Sequence, residues 1–199
     1  FEKEFIELST ITAANVQVEI NSPSGISTQL LGGWRSEQHK SLIKIWLGDI
    51  SHNQTRQVYV KLITPPAQKK KQILFNIKVS FLGENGEEYI TENKTELLYV
   101  GEDELNHTPQ SLPLMQRFSE VEMSEKVTEA LKLERVGQRE KAQSLISMSL
   151  MEAAPYISPK LADEYTALSE RMQHGLQETD RKTAHQTNYN RKQRRDTHS

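Results

Sequence analysis

Between Asn15 and Val100 the apolar residues recur at every second position. Val16, Val18 and Ile20 alternate with Gln17 and Glu19, and a turn follows at Ser22-Pro23-Ser24-Gly25 before Ile26 to Leu31. Ile43, Ile45 and Leu47 form the next alternation, stopped by Gly48-Asp49; Val58, Val60 and Leu62 follow, stopped by Pro65-Pro66. The longest run sets Ile73, Phe75, Ile77, Val79 and Phe81 on one face, and Leu74, Asn76, Lys78 and Ser80 on the other. A period of two is the period of a strand, and one apolar face per strand implies sheets covered on one side. Asn85-Gly86 is the strongest two-residue hairpin signal, and a last strand is expected from about Tyr89 to Val100. No helical pattern lies between these strands, which argues against a parallel α/β sheet. Six or so short strands with short connections predict an antiparallel β-sandwich over residues 14–101.

From Leu112 the period changes to 3.6. Leu114, Phe118, Val121, Val127, Ala130, Leu131 and Leu133 make one stripe, which Gly137 ends after Lys132 and Arg135. A second helix carries Ala142, Leu145, Ile146, Leu150 and Met151 and stops before Pro155. Ser158 at an N-cap with Pro159 behind it opens a third, which carries Leu161, Tyr165, Leu168 and Met172. The expected fold class is therefore α+β: an antiparallel β-sandwich, an antiparallel three-helix bundle over 112–176, and a flexible basic tail over 177–199 that reads as a fraying helix or as disordered. Phe1 to Leu8 open in mid-pattern, so residues 1–13 read as a linker or terminal helix of an upstream domain, and the whole as a fragment of a longer chain.

Composition narrows the function classes. The 199 residues include no Cys, which excludes a disulfide framework, thiolate metal sites and a Cys nucleophile, and fits a cytoplasmic protein. The longest apolar runs are too short to span a bilayer. The net charge of −2 conceals a neutral front, an acidic middle and a basic end. Residues 1–100 carry 11 cations and 11 carboxylates, residues 101–180 carry 8 and 15, and residues 181–199 carry 6 and 1. Arg191, Lys192, Arg194 and Arg195 in that end segment are candidate polyanion contacts, although Tyr189 alone stands near them to stack on bases.

Catalytic motifs are missing. The six histidines never stand at i, i+3 or i+4 from one another, and no Walker loop, nucleophile elbow or Gly-x-Gly-x-x-Gly occurs. Asp49-Ile50-Ser51-His52-Asn53 approaches a divalent-ion loop of the form Asp-x-Ser-x-Ser, but its fifth residue is Asn and a strand follows where that loop leads into a helix. A hairpin turn is the expectation there, with no metal and no cofactor. Asp163, Glu164 and Glu170 read as the solvated face of the third helix, and Trp34 and Trp46 are candidates for core or rim packing of the sandwich or for an exposed protein contact.

One order of elements is familiar. Asn15-Val16-Gln17-Val18-Glu19-Ile20, then Ile43-Lys44-Ile45-Trp46-Leu47-Gly48-Asp49-Ile50, then Arg56-Gln57-Val58-Tyr59-Val60-Lys61-Leu62 resembles the region that follows the von Willebrand factor type A domain in many prokaryotic proteins. The segment Ala130 to Leu150 is similar to the helical tail those proteins carry. The resemblance implies a non-catalytic scaffold or protein-interaction region, partnered by an upstream type A domain of the same chain and by other proteins. It transfers no metal ligand, because the metal-ion-dependent loop of that domain lies outside these motifs. The alternative reading is a nucleic-acid-associated module using the basic tail; it predicts binding that falls steeply with salt.

Overall fold

The computed structural model describes residues 11–67 and 71–192, with the backbone of Asp196–Thr197. The chain divides into a β-rich unit and a helical unit, the latter formed by 109–194 together with Leu31–Gly33.

Strands β1 (Ile11–Asn21), β3 (Arg35–His39), β4 (Leu42–Ser51), β7 (Gln72–Gly83) and β8 (Glu88–Leu98) form one antiparallel sheet in the order β3-β4-β1-β7-β8. Strands β2 (Ser27–Leu31) and β6 (Tyr59–Ile63) pair as a separate two-stranded ribbon, and β5 (Gln54–Thr55) pairs with β9 (Asp196–Thr197). The expected sandwich is thus one large sheet and a small ribbon, not two comparable sheets. Val18, Ile20, Ile43 and Ile45 are the buried centre of the large sheet, and Leu30, Trp34, Val58 and Val60 pack onto them. Burying a side chain such as Ile45 contributes about 1.5–3 kcal/mol.

The strand β3 (Arg-Ser-Glu-Gln-His) has no apolar residue and is exposed throughout. It is held by its backbone ladder to β4, which is why the alternation test does not find it. The hairpin between β7 and β8 also differs from the two-residue expectation. The Gly83 amide donates to the Glu87 carbonyl and the Gly86 amide to the Gly83 carbonyl, both at 2.9 Å, and Gly86 has φ of 76°. That is a three-residue loop whose last residue is left-handed, the geometry for which glycine is suited.

The helical unit holds α2 (Leu112–Arg135), α3 (Arg139–Ala153), α4 (Pro159–His174) and α5 (Glu178–Lys192), after a short α1 (Glu102–His107) in the β-rich unit. Four helices replace the three expected. Ala142, Ile146, Leu161, Tyr165, Leu168 and Met172 lie in one core with Val127, Ala130 and Leu131, as their spacing implies. Ser158 caps α4 by accepting the Leu161 amide at 3.3 Å. Leu114 and Met151, which the helical stripes include, are exposed. The segment 177–192, read as a fraying helix or a disordered tail, contains a helix, and its contacts to the unit are largely polar: Asn188 is buried and Arg181 is paired, while Ala184 supplies an apolar contact.

Candidate interaction surfaces

The outward face of the large sheet is built from the residues that alternate with its core. In successive strands Glu37, Lys44, Glu19, Lys78 and Glu92 stand directly opposite one another. The row alternates in sign across all five strands, and Lys44 Nζ lies 3.4 Å from Glu19 Oε1. Each opposite-charge pair across a ladder contributes roughly 0.2–1 kcal/mol. The neighbouring row sets Arg35 opposite Trp46. The Arg35 guanidinium lies 4.8 Å from the indole centroid, and Lys44 Nζ lies 5.8 Å from it on the same ring. Trp46 is therefore a half-buried residue of the polar face, covered by two cations. Trp34 packs on the opposite, apolar face, and its Nε1 is buried without a hydrogen-bond partner.

At one edge of this sheet, β8 pairs with β7 alone among the described residues, and each of its eleven residues is exposed. On its outward face Leu98 lies diagonal to Leu74 at one end, and Ile90 lies diagonal to Leu82 at the other. On the other face the rings of Phe81 and Tyr89 stack with centroids 5.4 Å apart, and Leu97 stands opposite Ile73. Leu74, Leu82, Tyr89, Ile90, Leu97 and Leu98 are all exposed, so this hairpin presents apolar side chains to solvent on both faces. Apolar side chains gathered this way, and an edge strand of this length, are features of surfaces that take a partner.

Asp49 lies within β4, and the turn that follows falls at His52-Asn53, before β5. Asp49 Oδ1 accepts the amide of Asn15 at 2.8 Å, where β1 bulges with a φ of 54°. The Asp49 carbonyl accepts from Arg56 Nη2 at 3.3 Å. Asp49 thus supports a bulge. Among the described residues no three His, Asp or Glu side chains gather as a metal would need.

In the helical unit Arg191 and Lys192 are engaged. Arg191 pairs with Glu164, its guanidinium lies 5.5 Å from the Tyr165 ring centroid, and its carbonyl accepts from Arg117 Nη2 at 2.7 Å. Lys192 Nζ is 3.5 Å from Glu125 Oε1. Arg194 and Arg195 lie outside the described residues. Two of the four candidate polyanion contacts are therefore neutralised within the unit, and Glu164, read as part of a solvated face, is one of the groups that neutralises them.

The residue that sequence reasoning missed is Glu134. Its side chain is 0% exposed, and it accepts Arg181 Nε at 2.8 Å, Arg181 Nη2 at 3.0 Å and the Leu176 amide at 3.0 Å. The Arg181 hydrogen bonds hold this carboxyl below its usual range in spite of burial. Beside it, Tyr165 donates to Asn188 Oδ1 at 3.3 Å, and Ser124 Oγ lies 3.3 Å from the same phenol oxygen.

No protein-family model and no curated protein matches the chain. Among solved structures it is similar to a protein described as von Willebrand factor type A from Catenulispora acidiphila, with a TM-score of 0.49 and 10% sequence identity. That likeness covers 76% of this chain and 39% of the other, so the chain spans well under half of that structure's length. Among the described residues no helix is long and apolar enough to cross a membrane.

Proposed function

We propose that this chain is a non-catalytic protein-interaction region that works as a scaffold beside a type A domain in a larger protein. The observation that carries the reading is the exposed β7–β8 hairpin, with Leu74, Leu82, Tyr89, Ile90, Leu97 and Leu98 open to solvent. Scattered exposed apolar residues need no explanation, but six on two paired strands, spread over both faces of the hairpin, mark an element that gains from being covered. The charge row next to them supplies orientation without a large field of one sign. The alternative, a nucleic-acid module, loses support because Arg191 and Lys192 are each held by a carboxylate.

The test is affinity capture from a lysate of the source organism with the chain and with its Leu74→Ser/Leu98→Ser variant. Both leucines are exposed, so the variant keeps the fold, which its melting temperature checks. Proteins retained by the parent and lost by the variant are expected. Equal retention by both overturns the assignment of the surface, and recovery of nucleic acid alone, at low salt, moves the basic segment to first place.

A further inference from the structure

We infer that the partner taken by the β8 edge is a second copy of this chain, paired antiparallel about a two-fold axis through Asn93 so that two five-stranded sheets become one. This rests on the interaction reading above and names its occupant. The argument starts from the strand Glu88-Tyr89-Ile90-Thr91-Glu92-Asn93-Lys94-Thr95-Glu96-Leu97-Leu98, which has no Pro, no Gly and no register shift against β7. Its outer edge, unpaired among the described residues, therefore offers an uninterrupted row of backbone donors and acceptors.

An axis normal to the sheet keeps each side chain on its own face, so a residue can meet only partner residues of the same face. With Asn93 opposite the partner's Asn93, Glu92 faces the partner's Lys94 and Lys94 faces the partner's Glu92. Tyr89 faces the partner's Leu97 and Leu97 the partner's Tyr89, while Thr91 and Thr95 face each other. All eleven residues are paired. The sign-alternating row that ends at Glu92 then continues into the partner's Lys94 without a break. The adjoining registers on the same faces do the opposite. Centring on Glu92 sets that carboxylate against itself and Glu88 against Glu96, and centring on Lys94 sets that ammonium against itself and Glu92 against Glu96. Like charges directly opposite are unfavourable in a ladder, and centring on Thr91 or Thr95 pairs only seven of the eleven residues, so charge and paired length together favour the register about Asn93.

Sedimentation equilibrium of the whole chain is the measurement, with two charge variants. Glu92→Lys alone opposes two lysines at each of two contacts, and Lys94→Glu alone opposes two glutamates. Each is expected to weaken self-association by about tenfold or more. Mixing the two variants pairs every introduced lysine with a glutamate, and a heterodimer is expected to return. Because both variants sit on an exposed strand and rescue one another, loss of folding cannot mimic the result. The chain has no cysteine. A single Asn93→Cys substitution should therefore give an interchain disulfide on mild oxidation, faster than Tyr89→Cys or Leu97→Cys, since only the residue on the axis meets its own copy.

A chain that stays monomeric at every accessible concentration overturns the inference. So does a dimer that neither charge variant weakens, or one that the mixture fails to restore. Lysate capture lost in Leu74→Ser/Leu98→Ser by a chain that stays monomeric would sink self-pairing alone and leave the interaction reading standing.

Discussion

Glu134 near the end of α2 and Arg181 in α5 lie 47 residues apart in the chain and meet through two hydrogen bonds, the shorter 2.8 Å. The Glu134 side chain is fully enclosed, while the Arg181 side chain keeps about a quarter of its surface in solvent. The pair fastens the last helix of the unit to the first long one.

Glu134→Ala removes the acceptor of the Leu176 amide as well as that of Arg181. A loss of about 1–3 kcal/mol in unfolding free energy is expected, read from urea denaturation of the whole chain. An unchanged midpoint would show that the enclosed carboxylate is not holding α5.

The same group sets a pH dependence. Its folded-state pKa is depressed, by the Arg181 hydrogen bonds first, from an ordinary value near 4.5. The unfolded chain therefore binds a proton more readily than the folded one below that value. The stabilisation is complete above pH 4.5 and is lost as pH falls through the folded-state pKa. The parent should lose more melting temperature on acidification below pH 4.5 than Glu134→Gln does. Parallel curves for the two proteins would refute the assignment.

Tyr165→Phe keeps the ring in the helical core and removes only the hydroxyl that donates to Asn188. Asn188 is 2% exposed and would keep an unsatisfied oxygen, at a cost of about 1–3 kcal/mol. Amide hydrogen exchange should rise in α5 more than in α2 or α3.

Gly175 ends α4 with φ of 89° and ψ of 129°, a region open to glycine and strained for other residues. A Cβ there would also stand 2.5 Å from Arg139 Nη2. Gly175→Ala should cost about 1–3 kcal/mol by thermal denaturation, whereas Gly25→Ala, with open space around its Cβ, should cost only its own backbone strain.

Ile45 is 0% exposed at the centre of the large sheet. Ile45→Ala should cost about 2–5 kcal/mol, and Leu74→Ala, on the exposed hairpin, far less. Equal effects would place the core elsewhere.

What could be read from the sequence follows the kind of force at each site. Strands whose apolar residues face the core, such as β1, β4 and β7, and helices such as α4, announce themselves by period. The strand β3 carries no apolar residue and is fixed by main-chain hydrogen bonds, which leave no mark in the side-chain pattern. The docking of α5, read as a fraying helix or a tail, is missed for a related reason: Arg181, Asn188, Arg191 and Lys192 dock it with polar groups, and a polar docking face looks like a solvated one. Glu134 sits one residue beyond the apolar stripe and was indistinguishable from a surface acid until its partner was in place. The candidate surface was legible only in part. Trp46 reads from the sequence as core, rim or contact, without the two cations over it, and the exposure of β8 depends on which strand ends the sheet, which no local pattern states.

The row Glu37, Lys44, Glu19, Lys78 and Glu92 behaves like a parity check. Its content along the row is alternation more than sign, so inverting all five charges together preserves every opposition within the row that inverting any interior one destroys, and gives up the Lys44 ammonium over Trp46 and the pairing of Glu92 with the partner's Lys94. A chain with the five-fold inversion should melt nearer the parent than Glu19→Lys alone does. Substitutions along this face are then free to accumulate only in compensating sets, so the sheet tolerates concerted change better than single change.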